Sequence, residues 1–156
     1  MKNHTVSRRG RRSDLILMIV ISVTLAVIWI HSAMPGDVSS AESGFVYDVI
    51  EPVLRFLLPD AWVTEHLVRK MGHFCEYGVL GVEMLTLVAL RGRVRLRFLV
   101  NTLLTGLLVA FIDETIQIFS GRGPMIADMW IDIAGFTLGG AVVLLIWKIK
   151  IPRGNQ

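Results

Sequence analysis

"RKMGHFCEYGVLGVEML", residues 69–85, decides how the chain must fold. Met71, Phe74, Val79, Leu80, Val82, Met84 and Leu85 suit lipid, yet His73, Glu76 and Glu83 stand among them. An ionisable group in the middle of a membrane helix costs roughly 2.5–3.5 kcal/mol on insertion scales, so such groups turn inward and carry function. The stretch therefore predicts a membrane-spanning helix with one polar wall.

The rest of the chain agrees. Of its 156 residues, 53% are hydrophobic and the mean hydropathy is +0.60, too apolar for an ordinary soluble domain. The length suits one domain over residues 1–156. Four segments, residues 15–31, 71–90, 98–119 and 125–147, each approach the ~20 residues that cross a hydrocarbon core. Only the first lacks internal charge. The expected fold is an all-α membrane protein, a bundle of four transmembrane helices. Basic residues ahead of the first apolar run would also suit a signal peptide. "HSAMPGD", however, offers no small-x-small cleavage site, so the run reads as an uncleaved anchor. The one cysteine, Cys75, excludes an internal disulfide. Inside an apolar run it reads as small core filler rather than a nucleophile.

Positive residues mark the cytoplasmic side. Lys2, Arg8, Arg9, Arg11 and Arg12 precede the first span. Arg91, Arg93, Arg95 and Arg97 join the second to the third, and Lys148, Lys150 and Arg153 follow the fourth. These are 12 of the 16 Lys and Arg residues, within a net charge of +3, and four spans place all of them on one side. Both termini are then cytoplasmic, with residues 1–14 as a basic tail. The clusters read as topology signals that touch anionic headgroups, not as a nucleic-acid surface. On the outer side, "SGRGP" at 120–124 is a tight turn, so the third and fourth spans are antiparallel neighbours. The long first outer loop carries "FVYDVIEPVLRFLL" at 45–58. Asp48, Glu51 and Arg55 share one helical face, and Phe45, Val49, Ile50, Val53, Leu54 and Leu57 cover the others. That pattern predicts an amphipathic helix in the outer interface. Asp60 is expected to cap a short helix running through Trp62 and His66 into the second span.

Depth sorts the polar residues. At ~1.5 Å rise per residue, His73 lies in the first turn of the second span, Glu76 about a turn deeper, and Glu83 near the midplane. Asp113, Glu114 and Gln117 fill the last two turns of the third span. Asp128 lies in the first turn of the fourth and Asp132 one turn below. Three helices thus place ionisable groups and a glutamine in one layer, ~5–10 Å below the outer boundary by the same rise. Spacing groups His73 with Glu76 and Tyr77, Gln117 with Asp113 and Glu114, and Asp128 with Asp132. Asp113 and Glu114 point about 100° apart, so both cannot face one centre squarely. Gly135 and Gly139 continue the Asp128–Asp132 face, where small residues let another helix come close. Arg69, Lys70 and Arg122 ring the layer. The expectation is a cup of histidine and carboxylates, open to the outside. Glu83 lies too deep to join it and is left unassigned, protonated or hydrogen-bonded within the bundle.

Three chemistries fit such a cup. His73 with carboxylates is a Zn²⁺ or Mn²⁺ donor set, but one histidine and no His-Glu-x-x-His pattern speak against a metal. Acid–base hydrolysis or group transfer would use His73, Glu76, Glu114 and Asp128 as catalytic candidates, although no Gly-x-Ser-x-Gly or other nucleophile signature accompanies them. Non-covalent binding of a polar headgroup or amphipathic ligand would set Arg122, Lys70 and Arg69 against phosphate or carboxylate. A transporter fits four spans only if the chain oligomerises. The competing reading is structural: the groups pair to hold the bundle, and a wet vestibule solvates the rest. No cofactor is evident beyond the metal alternative.

"RKMGHFCEYGVLG" and "DETIQIFSGRGPMIADMWIDIAGFTLGG" resemble the VanZ-like family of small bacterial membrane proteins. The likeness spans roughly residues 15–147. It rests on Lys70, His73, Glu76 and Tyr77, then Asp113, Glu114, Gln117 and Phe119, then Arg122, Asp128, Asp132 and Gly135, with Ser32 and Pro35 at the outer end of the first span. In relatives the Asp132 position is often Asn, which makes its charge optional there. The resemblance implies a multi-pass protein of the bacterial cytoplasmic membrane with a cell-envelope role on the outer surface. The family takes its name from a member linked to low-level teicoplanin resistance, so glycopeptide tolerance is implied too. It supplies no reaction. The function expected is binding, with modification as a further step, of an envelope lipid or lipid-linked precursor, the partners being membrane lipids, such a precursor or a lipoglycopeptide. Lys70, Tyr77, Asp113, Gln117, Arg122 and Asp132 are the ligand-binding candidates. The alternatives are non-enzymatic capture of an amphipathic drug and a purely structural cluster.

Overall fold

A computed structural model describes residues 8–120 and 126–150. The described chain is all α: α1 (Arg8–Ala33), α2 (Gly36–Leu57), α3 (Glu65–Leu90), α4 (Leu96–Phe119) and α5 (Ile126–Lys150), with one 3-10 turn over Asp60–Trp62. The helices α1, α3, α4 and α5 are each long and apolar enough to cross a membrane. Residues 1–7 of the expected tail and 121–125 of the expected turn, Arg122 among them, lie outside the described residues.

Large apolar side chains cover the outside. Leu15, Ile30, Leu104, Phe111, Leu145 and Ile149 are all exposed, a surface that water would not tolerate and lipid would. The interior is correspondingly thin: Ile28, Tyr77, Leu80, Leu85, Val109, Ala110 and Phe136 form its core.

Glycine makes that thin core close. Along the α3–α5 contact, a Cβ at Gly135 would overlap the Phe74 carbonyl oxygen, one at Gly139 that of Gly78, and one at Gly81 that of Phe136. The two backbones therefore touch through their small residues, as membrane helices do when no hydrophobic force joins them. Gly106 of α4 gives room to the Phe136 ring, whose atoms would lie 2.9 Å from a Cβ there.

The bundle has two unlike ends. At one, the Arg91 Nε donates to Asp14 Oδ2 at 2.9 Å, tying the start of α1 to the end of α3. There α3 closes on Gly92, at φ 61°. The Gly92 and Arg93 amides donate back to the Ala89 and Val88 carbonyls, a left-handed glycine stop. At the other end, α1, α3, α4 and α5 bring their polar residues together.

Two expectations are corrected here. Cys75 is exposed, not core filler: with Val79 and Val82 it follows the i, i+4, i+7 stripe that α3 turns outward. Asp60 caps nothing. It accepts instead from Arg55 Nη1 at 2.8 Å, while the Thr64 hydroxyl caps α3 by accepting from the Leu67 amide at 3.1 Å. The Arg55 Nε also donates to Glu51 at 2.8 Å. That bond, then one from the Tyr47 hydroxyl, holds the Glu51 carboxyl below its ordinary value. The segment expected to be amphipathic is helical and lies within α2, with Leu54 buried and Phe45, Val49, Val53 and Phe56 exposed.

Candidate functional site

Each helix delivers its polar residues to the same end for a local reason. The last turn of α1 presents His31 and Ser32. Near its start α3 presents Lys70, then His73, Glu76 and Tyr77 at steps of three and four residues, which keeps them near one another on the helix surface. The last turns of α4 present Asp113, Glu114 and Gln117, and the first turns of α5 present Asp128 and Asp132.

Asp113 is the centre. It is fully buried. Its Oδ1 accepts a short hydrogen bond from the Ser32 hydroxyl of α1, and its Oδ2 accepts from Gln117 Nε2 at 3.1 Å, one turn on. The His73 Nδ1 lies 3.7 Å from Asp113 Oδ2 and 4.0 Å from Asp132 Oδ1. One atom each from His73, Asp113 and Asp132 lie within 4.8 Å of one another. Asp132 is 1% exposed and within electrostatic range of Asp113, Glu114, Asp128 and Glu76. Tyr77 is fully buried directly below His73. Glu114 is buried as well, so α4 turns both neighbouring carboxylates inward despite their angular separation.

Among the described residues, two ion pairs flank this centre. The Lys70 Nζ lies 2.8 Å from Asp128 Oδ1, joining the rims of α3 and α5. Glu76 does not turn to His73. Its Oε1 meets the His31 Nδ1 of α1 at 2.5 Å, a contact close enough for a carboxylate to fix the ring and its tautomer. The Ser120 hydroxyl donates to the Ser32 carbonyl at 3.0 Å and so closes the end of α4 onto α1.

A cleft opens beside the cluster. Its volume is about 150 Å³, room for about five waters at ~30 Å³ each. His31 of α1, Ser39 and Glu42 of α2, and Arg69, His73 and Glu76 of α3 line it. Polar groups of both signs thus border a space on the side that α2 covers.

The described residues therefore unite nine of the ten candidates at one end of the bundle: Lys70, His73, Glu76, Tyr77, Asp113, Glu114, Gln117, Asp128 and Asp132. Arg122, the tenth, lies outside the described residues. Glu83 sits apart, as its depth suggests, and accepts from the Thr24 hydroxyl at 2.9 Å. The partners that α1 contributes are additions. Ser32 was visible only through the family likeness, and His31 had no periodic signal, since it closes an otherwise apolar run.

A model of the VanZ/LLP1 family matches residues 15–148. No curated protein and no solved structure matches the chain.

Proposed function

We propose that this chain, which belongs to the VanZ/LLP1 family, binds the phosphate-bearing headgroup of an envelope lipid or lipid-linked precursor at the outer face of the bacterial cytoplasmic membrane. The observation that carries this reading is the cleft. It joins a buried polar layer to the side of the bundle, and Arg69 lines it together with His31 and Glu76. A guanidinium presents a donor fork that matches phosphate oxygens, and the acyl chains of the same lipid would lie along the exposed apolar flank of α2 and α3.

Orientation follows from charge. Arg91, Arg93, Arg95 and Arg97 cap the end opposite the cleft, and the positive-inside rule assigns that end to the cytoplasm. The α2 helix then rests on the outer leaflet, where exposed Phe45, Phe56 and Trp62 suit the interface.

Chemistry on the bound lipid is the finer step of the proposal. Among the acid–base candidates His73, Glu76, Glu114 and Asp128, Glu76 has the geometry of an orienting carboxylate, since it holds the His31 imidazole at 2.5 Å. An imidazole held this way is a general base in waiting. A second reading, a purely structural cluster, is favoured by one fact: Ser32, Gln117 and Asp113 satisfy one another.

Native mass spectrometry of the purified chain tests the binding step, with phosphatidylglycerol and diacylglycerol of equal chain length offered in turn. The chain should retain phosphatidylglycerol and not diacylglycerol. Arg69→Gln should weaken retention roughly tenfold, the worth of a charge-assisted hydrogen bond. Equal retention of both lipids, or no effect of Arg69→Gln, would remove the reading.

A further inference from the structure

We propose that His73, Asp113 and Asp132 hold one divalent transition-metal ion of the Zn²⁺ or Mn²⁺ class beside the cleft that His73 lines. The proposal goes beyond lipid binding and does not depend on it.

Geometry supports it first. The three donor atoms lie within 4.8 Å of one another, with the imidazole nitrogen 3.7 and 4.0 Å from the two carboxylate oxygens. Metal–nitrogen and metal–oxygen bonds of ~2.1 Å set tetrahedral donors ~3.4 Å apart. Side-chain shifts of well under ~1 Å would therefore close the site around an ion. The three donors come from α3, α4 and α5, and the glycine contacts between α3 and α5 hold two of those backbones in place.

Donor chemistry supports it next. The His73 imidazole faces both carboxylates, and one imidazole with two carboxylates is a donor set for a divalent ion.

The third observation is independent of the donor triad. The Tyr77 hydroxyl is buried with no hydrogen-bond partner. Tyr77 stands one helical turn from His73 on α3 and within electrostatic range of Asp113 and Asp132. A buried hydroxyl without a partner is costly, and water bound to an ion in the triad would give it one. The Asp132 Oδ1, likewise buried without a hydrogen bond, would gain a bond to the metal. The surroundings have the form of an outer coordination sphere: Ser32 and Gln117 both donate to Asp113 and orient its carboxylate, as partners of metal ligands do. One imidazole with two carboxylates and no thiolate suits Zn²⁺ or Mn²⁺ better than Cu⁺; Cys75 points outward.

The test uses the full chain purified without a polyhistidine tag, stripped with chelator and offered Mn²⁺ alone. Elemental analysis after gel filtration should find about one ion per chain. Pulsed electron paramagnetic resonance should show a nitrogen coupling from imidazole, read on the unsubstituted chain, so it needs no variant to fold. His73→Gln should abolish that coupling. Asp132→Ala should weaken Mn²⁺ binding by roughly tenfold or more, whereas Glu83→Gln, bonded elsewhere to Thr24, should change neither. No retained ion, retention without the nitrogen coupling, or binding unchanged in Asp132→Ala would each overturn the proposal.

Discussion

Replacing Asp113 with alanine should destabilise the bundle by about 3 kcal/mol, the scale of removing one member from a buried, hydrogen-bonded charged cluster. Asp113 receives Ser32 from α1 and Gln117 from its own helix, and it faces His73 of α3. Its loss takes an acceptor away from buried donors, which adds a desolvation cost to the bonds themselves. Ser32→Ala should cost only about 1 kcal/mol, because one bond goes and Asp113 keeps Gln117. Asp132 makes the opposite case. Its Oδ1 has no hydrogen bond, so in the presence of chelator Asp132→Asn should be neutral or stabilising. Denaturant titration in detergent, followed by helical circular dichroism, reads all three. Equal losses for Asp113→Ala and Asp132→Asn would mean that the cluster is a uniform structural network. A clear gap would mean that Asp113 anchors the bundle and that Asp132 is kept for something the folded chain alone does not use.

Gly139→Ala should have a comparable effect, about 3 kcal/mol, through sterics alone. The added Cβ would overlap the Gly78 carbonyl, and neither backbone can yield without parting α3 from α5. That contact sets the spacing between His73 and Asp132, so donor geometry should be lost together with stability. Gly72→Ala is the control. Nothing lies within 4 Å of a Cβ there, and alanine should add up to about 1 kcal/mol of helix preference. The same unfolding measurement decides. If Gly139→Ala were as benign as Gly72→Ala, the close approach of α3 and α5 would not be what holds the polar end together.

What could be read from the chain was whatever lies within one helix. Long apolar runs gave four candidate spans, and the family likeness read from 15–147 is matched over 15–148. The steps between Asp128, Asp132, Gly135 and Gly139 foretold a face with carboxylates above and glycines below, and the glycines do meet α3. Depth foretold that Glu83 would stand apart. Pairing between helices was not legible. The His31 ring that meets Glu76 comes from 45 residues away, and Ser32 reaches Asp113 across 81; no periodicity encodes either contact. Helix-end chemistry also misled: Asp60 and Thr64 both suit a cap, and the ion pair with Arg55 takes Asp60 away. Cys75 misled because apolar surroundings in a membrane helix do not distinguish the core from lipid.

Recognition of an envelope lipid by the polar end, rather than mere cohesion of four helices, is what the host's lipids should report. Its most direct test compares the envelope lipids and lipid-linked precursors of three strains of the native host: wild type, a deletion strain, and one expressing Glu114→Gln at wild-type membrane abundance. Glu114 is buried in the cluster, and the amide keeps its size while removing its charge. The deletion and Glu114→Gln strains should share the same altered lipid profile. A Glu114→Gln strain indistinguishable from wild type while the deletion strain is altered would contradict lipid recognition by the polar end.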